Sequence, residues 1–145
     1  MCDNQVLNTI KASQVPEGDR LSFLPKHFGK LMMKFEGTVY LWMRRLSTDY
    51  TGGYWNFYEL SNGGFYMALS GEKRFQFNSL NYAQEEVSAD AAGVIVTMFA
   101  LNAIINGIAY EEEPDLSENF IKGYYQLRDF AAEHAESRKI FALID

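Results

Sequence analysis

Ala91 to Tyr110 is a run of twenty residues without a single charge. A stretch of that length and composition has two stable destinations, a membrane or the interior of a folded domain. Thr97, Asn102 and Asn106 interrupt it, and both flanks are acidic (Glu85, Glu86 and Asp90 before it, Glu111 to Glu113 after it). No Lys or Arg anchors either end, as a membrane span would require at its cytoplasmic side. The run therefore predicts a central helix buried in a water-surrounded fold. Ser88 is placed to cap it, Asp90 falls in its first turn and Gly107 suits its end, so the expected helix covers about 89–106.

A central apolar helix needs amphipathic partners, and the chain supplies them. Pro25 suits a first helical position, and Phe28, Leu31, Met32 and Phe35 follow at helical spacing, giving a helix over about 25–34. Gly29 and Gly37 weaken this region and predict a break near Phe35. A second helix over about 36–47 carries Val39, Trp42, Met43 and Leu46 as its stripe, with Arg44 and Arg45 in the last turn. A last long helix over about 117–136 has Ser117 as its cap and Phe120, Tyr124, Leu127 and Ala131 facing inward. The apolar tail Ile140 to Ile144 is expected to pack back on the body or to cover a neighbouring subunit.

Between the second and the central helix lies Asp49 to Leu69, dense in aromatic residues and carrying four glycines. Asn62-Gly63 sits between two aromatic runs and is a strong hairpin signal. With a two-residue turn there, Leu60 faces Phe65, Glu59 faces Tyr66 and Phe57 faces Ala68. A second turn at Gly71-Glu72 adds a third strand. The expected sheet is a three-stranded antiparallel meander over about 54–60, 65–69 and 74–78. Its core face would carry Trp55, Phe57, Glu59, Tyr66, Ala68, Phe75 and Phe77. Asn78 to Val87 reads as a loop. Met1 to Asp19 reads as a loose arm, with a short strand around Arg20 to Phe23. The whole is a single α+β domain over 1–145 with four or five helices, long enough to bury a core without staples. Cys2 is the only cysteine, so an intrachain disulfide is excluded.

The charge balance bears on partners. Nineteen acids against thirteen bases give a net charge of −6. This disfavours a nucleic-acid binder, which shows a basic face. It also falls short of DNA imitation. Duplex DNA carries one charge per about 1.7 Å, so a domain roughly 38 Å across needs on the order of 20 net acids along one side.

The chemical inventory is short. His27 and His134 stand apart from any ligand-spaced cluster, and no metal site or cofactor motif is spelled. Ser70-Gly71-Glu72-Lys73 lacks the phosphate-loop spacing, and the glycine pairs lack the dinucleotide pattern. Asp49 and Glu59 are the two carboxylates open to an acid–base reading. The plainer reading is that Asp49 caps a turn and Glu59 bonds a neighbouring polar group.

Four segments carry a family resemblance: Leu24-Pro25-Lys26-His27-Phe28-Gly29; Trp42-Met43-Arg44-Arg45-Leu46; the block from Asp49-Tyr50-Thr51-Gly52-Gly53-Tyr54-Trp55-Asn56-Phe57-Tyr58 through Met67; and Val87-Ser88-Ala89-Asp90-Ala91-Ala92-Gly93. In this order they resemble the ArdB/KlcA antirestriction family over roughly Leu21 to Asp145. The resemblance implies a protein of plasmids or other mobile elements that blocks type I restriction–modification in the host cytoplasm. It further implies a compact α+β fold, no established catalytic residues and no DNA mimicry, and the expectation is a protein without enzymatic activity or cofactor. The expected partner is the restriction complex or an accessory host protein, with no direct nucleic-acid binding and no membrane. Membership of the matching block makes Asp49, Tyr50, Thr51, Tyr54, Tyr58, Glu59 and Asn62 the candidate interaction residues. A small enzyme using Asp49 and Glu59, or an inhibitor competing with DNA, is the alternative.

Overall fold

The structure, a computed structural model, describes residues 9–20, 22–23, 29–107 and 114–145. In chain order it contains β1 (Ala12–Gln14), 3-10 turns at Glu17–Asp19 and Gly29–Leu31, α1 (Met32–Leu46), β2 (Trp55–Leu60), β3 (Phe65–Leu69), β4 (Arg74–Asn78), β5 (Gln84–Ser88), α2 (Ala89–Gly107), α3 (Pro114–Glu133) and α4 (Ser137–Ile144). The expected helix start at Pro25, together with Phe28, His27, Cys2 and the Glu111 to Glu113 link, lies outside the described residues.

The uncharged run forms α2, and it is the centre of the fold. Twelve of its nineteen residues are buried, among them Val94, Ile95, Met98 and Leu101. It has the length and composition of a membrane span, yet those residues face α1, α3, α4 and β3. The Ser88 hydroxyl accepts the Ala91 amide at 3.1 Å, the cap that the sequence predicts.

α1 buries Phe35, Val39, Met43 and Leu46 along one stripe, while Trp42 stacks on Phe99 of α2 at 4.7 Å. The expected break near Phe35 is absent. Gly37 faces open space, and fully buried Phe35 anchors the first turns, so packing overrides the low helix propensity of one glycine. α3 starts at Pro114, the position where proline's missing amide costs nothing. Ser117 is therefore not the cap. It lies buried in the first turn, with no hydrogen-bond partner for its hydroxyl among the described residues. Ile140 and Leu143 of α4 are buried, so the apolar tail closes on the body.

The class is α+β as expected, but the strands are divided differently. β1, β2 and β3 form one antiparallel sheet, and β4 and β5 form a second. The meander is thus corrected: β4 pairs with β5, which the sequence presents as a loop, and not with β3. Only Val87 of β5 is buried, so its apolar alternation is too thin to read. Lys139 of α4 instead donates to the Glu86 carbonyl at 2.7 Å, and Arg138 pairs with Glu85 at 3.4 Å. The arm is also corrected. Its strand is β1, paired with β2 through Ser13 opposite Glu59, while Arg20, Ser22 and Phe23 have helical backbone. Phe23 stacks on Phe57 with ring centroids 5.1 Å apart.

The register between β2 and β3 is one residue off the expected one. Tyr58 lies opposite Tyr66, Phe57 opposite Met67 and Glu59 opposite Phe65. The cause is a three-residue loop, Ser61-Asn62-Gly63, in place of a two-residue turn. The Leu60 amide donates to the Gly64 carbonyl at 2.8 Å, the Gly63 amide to the Leu60 carbonyl at 3.0 Å, and Gly63 takes φ +96°. A one-residue slip exchanges faces, so the predicted core face is not one surface. All five residues of β3 are buried regardless, because both of its faces are covered.

β3 is an outer strand, and α2 closes its edge. Thr97 Oγ1 accepts the Met67 amide at 3.1 Å and donates to the Met67 carbonyl at 3.4 Å. Gly93 allows this approach, since a Cβ there would stand 2.3 Å from the Met67 carbonyl oxygen.

Candidate functional site

The seven candidate residues occupy different neighbourhoods of the hairpin. Asp49 receives the Gln76 amide on Oδ2 at 2.8 Å, and its carbonyl accepts Lys73 Nζ at 2.7 Å, so it ties β4 to the end of α1. Tyr50 is half-buried, and its hydroxyl accepts Trp55 Nε1 at 3.2 Å. Thr51 is exposed. Tyr54 is exposed too, with the Arg20 guanidinium 4.7 Å above its ring and 4.3 Å from that of Phe57. Glu59 lines a cleft of about 200 Å3 with Val15, Pro16, Asp19, Ser22 and Phe23. It stands four residues beyond Trp55 along β2, about 13 Å at strand rise. Asp49 belongs to the Trp55 end, so the two carboxylates are not brought together.

Asn62 joins the hairpin turn to α3. Its Oδ1 accepts the Gly64 amide at 3.0 Å, its Nδ2 donates to the Gln126 carbonyl at 3.0 Å, and Gln126 Nε2 donates to its carbonyl at 2.6 Å. These bonds pin the hairpin turn to α3. Beside them opens a polar groove of about 340 Å3, lined by Asn62, Gly63, Phe65, Asn119, Lys122, Gly123 and Gln126.

Tyr58 leads to a network that sequence reasoning misses. Its ring stacks on Tyr66 at 4.8 Å, and Tyr66 stacks in turn on Phe130 at 5.5 Å. The buried Tyr66 hydroxyl donates to Asp90 Oδ1 at 2.7 Å, and His134 Nε2 meets Asp90 Oδ2 at 2.8 Å. His134 Nδ1 accepts the Glu136 amide at 2.9 Å, which makes Nε2 the protonated nitrogen that donates to Asp90. Glu136 in turn accepts the Ser88 amide at 3.0 Å and the Ser88 hydroxyl, and it lies 3.7 Å from Arg74. Three segments of the chain meet here: β3, the start of α2 and the turn between α3 and α4. Sequence separations of 24 and 44 residues hid the contacts.

Ionisation follows these contacts. Burial pushes the Tyr66 phenol up, and the Asp90 charge adds to it, so it stays protonated and donating. Burial also pushes Asp90 up, but the hydrogen bonds of His134 and Tyr66 and the nearby imidazole outweigh it, leaving the carboxyl below its ordinary value. Glu136 is likewise lowered: burial raises it, and the two Ser88 bonds, His134 and Arg74 more than reverse that. The network holds three segments together with every polar group partnered. Its tyrosine, held protonated, serves as a hydrogen-bond donor. Among the described residues no group of three His, Cys, Asp or Glu side chains is placed to hold a metal ion.

Fold and site thus define a small α+β protein, built around one apolar helix, whose polar contacts among the described residues join its elements. Residues 48–145 match the family described as antirestriction protein. Two antirestriction proteins KlcA of Escherichia coli are each 44% identical, one over the full length of both chains and one over 94% of this chain and 95% of its own. The Escherichia coli protein YfjX, uncharacterised, is 36% identical over 94% of this chain and 88% of its own. A solved structure is similar over the whole of both chains, with TM-score 0.87 and 44% identity. It comes from work on KlcA and ArdB reporting a novel fold and antirestriction activity against type I DNA restriction systems in vivo but not in vitro. The chain belongs to the antirestriction protein family.

Proposed function

We propose that this protein blocks type I restriction of incoming DNA inside the host cell, and that it does so by touching a protein and not by imitating or competing for DNA. One observation carries the reading. A structure matching the whole chain at 44% identity comes from work describing activity in vivo but not in vitro. An inhibitor that simply occupied the DNA site of the enzyme would act on the purified enzyme as well. A requirement for the cell points to a partner present there, either an accessory host protein or the restriction complex in a state the purified enzyme lacks.

The charge pattern supports contact over mimicry. Net charge is −6, and several acids are paired within the fold, as in Arg74–Glu86, Arg138–Glu85 and His134–Asp90. Paired acids do not form the unbroken anionic row that a DNA surrogate needs. Contact is also favoured over catalysis, since Asp49 holds the Gln76 amide and lies at the far end of β2 from Glu59.

The test is reconstitution. Purified type I enzyme, unmodified DNA and this protein are combined with and without host-cell extract, and cleavage is followed. Inhibition is expected only with extract, with no gel shift of DNA by this protein at physiological salt. Inhibition that is relieved by adding excess competitor DNA, or a gel shift, would remove the contact reading.

A further inference from the structure

The two hairpin loops, Ser61-Asn62-Gly63 and Leu80-Asn81-Tyr82, are conformational twins. In each, the residue before the loop donates its amide across the ladder, Leu60 to Gly64 at 2.8 Å and Ser79 to Ala83 at 2.9 Å. In each, the third loop residue donates back, Gly63 to Leu60 and Tyr82 to Ser79, both at 3.0 Å. The central asparagine accepts the amide two residues on, at 3.0 Å for Asn62 and 2.9 Å for Asn81. Its Nδ2 then donates to a helix carbonyl at 3.0 Å, Gln126 of α3 in one case and Ala142 of α4 in the other. The Ser79 hydroxyl adds a bond to the Leu143 carbonyl.

The third position differs. Geometry there requires positive φ, which glycine adopts without penalty and a bulky side chain does not. Gly63 (φ +96°) obeys the rule; Tyr82 (φ +70°) breaks it, and among the described residues it is the only non-glycine with positive φ. The strain returns nothing to the fold. Tyr82 is 93% exposed and Leu80 beside it 64%, and the Tyr82 side chain has no hydrogen bond or ring contact among the described residues. A strained, outward-facing aromatic held on a loop anchored at both asparagine and serine is explained by what it meets outside the molecule.

We propose that the Leu80–Tyr82 tip is the contact element of this protein and that it plugs an apolar pocket on the target protein. This rests on the reading that the protein acts by protein contact. The chemistry of the tip selects the partner class. Ser79 to Ala83 carries no charge, so it offers DNA no cation, and a chain of net charge −6 is repelled by an anionic bilayer. What it offers is a phenol ring and an adjacent isobutyl group on a loop tied to α4 through Ser79 and Asn81. The complementary surface is a concave patch of aliphatic or aromatic side chains with one polar group at its rim for the phenol hydroxyl.

The experiment combines stability with protection of unmodified phage in a type I restricting host. Tyr82→Asn places a residue tolerant of positive φ in the same loop, and Leu80→Gln leaves the backbone unperturbed. Tyr82→Asn is expected to raise Tm by about 3 °C and Leu80→Gln to leave it unchanged. Both are expected to lower protection by roughly tenfold or more, as loss of an interface anchor does. Tyr82→Phe keeps ring and strain, gives up only the hydrogen bond at the rim, and is expected to lose far less protection than Tyr82→Asn. Wild-type protection in either of the first two variants, a fall in Tm for Tyr82→Asn, or loss of protection in Tyr82→Phe equal to that in Tyr82→Asn overturns the proposal. A wild-type dimer in light scattering that Tyr82→Asn dissolves also overturns it, by assigning the tip to a second copy. Failure of the contact reading looks different, because it appears in the wild-type protein as a DNA gel shift and not in these variants.

Discussion

Replacing Gly93 and Gly37 by alanine, one at a time, sets the same chemical change against opposite surroundings. Both lie inside helices with ordinary negative φ, where alanine is worth about 0.8–1 kcal/mol over glycine. At Gly37 a Cβ meets nothing within 4 Å. At Gly93 it would stand 2.3 Å from the Met67 carbonyl oxygen, 2.4 Å from Ala68 Cβ and 2.6 Å from Ala68 Cα. Ordinary carbon contacts are about 3.5–4.0 Å, so α2 and β3 must part by roughly 1 Å. Two of the three atoms are backbone and cannot swing aside. Overpacking of this kind costs about 1–3 kcal/mol. The Thr97–Met67 bonds, one helical turn on, lose a further ~1–2 kcal/mol as the helix lifts. Set against the propensity gain, Gly93→Ala should destabilise by about 1–4 kcal/mol, a fall in Tm of roughly 3–12 °C at about 3 °C per kcal/mol. Gly37→Ala should raise Tm by about 2–3 °C. Thermal and urea unfolding followed by circular dichroism would measure both. Shifts of the same sign in the two variants would refute the argument that close approach decides the Gly93 position.

Asp90→Ala should cost about 2 kcal/mol in urea unfolding, because it leaves the buried Tyr66 hydroxyl unpaired, while Tyr66→Phe should cost about half that, since half-exposed Asp90 can turn to water; the reverse order would sink the assignment. Asp90 and Glu136 have folded values depressed below 3.8 and 4.5, so their contribution is complete above those values and is lost as pH falls through the lower, folded ones. Urea midpoints should therefore decline below about pH 4.5 in the wild type and less steeply in Asp90→Asn. Tyr66 is raised instead, so stability should also fall as pH climbs past its ordinary 10.0. Asp49→Asn preserves an acceptor for the Gln76 amide and should leave phage protection at the wild-type level; a total loss with unchanged Tm would revive the acid–base reading.

What the sequence discloses depends on how local the determining contact is. α2 is readable because its cap, its acidic first turn and its uninterrupted apolarity are all written within twenty residues. The aromatic block is readable as a hairpin for the same reason. Its register is not, because Asn62 serves the Gln126 carbonyl 64 residues away, and that docking selects the three-residue loop. β5 is hidden because Lys139 and Arg138 hold it from α4, in place of an apolar alternation of its own. Three of the seven candidate residues named through the family block also hold neighbouring parts of the fold: Asp49 ties β4, Tyr50 ties Trp55 and Asn62 ties α3. Tyr66, Asp90 and His134 escape notice individually, since nothing in their spacing announces that they share hydrogen bonds. Tyr82 escapes because the demand for positive φ belongs to the loop and is visible only in its backbone.

The closing of β3 by Thr97 also has a consequence in time. The hydroxyl that completes the strand's edge comes 30 residues after Met67. At a synthesis rate of about 5–20 residues per second, the hairpin leaves the ribosome roughly 1.5–6 s before that helix can reach it. For that interval the nascent strand offers a bare, apolar ladder to any other chain nearby. Slower translation between Ser70 and Thr97 is expected to lengthen that exposure in proportion.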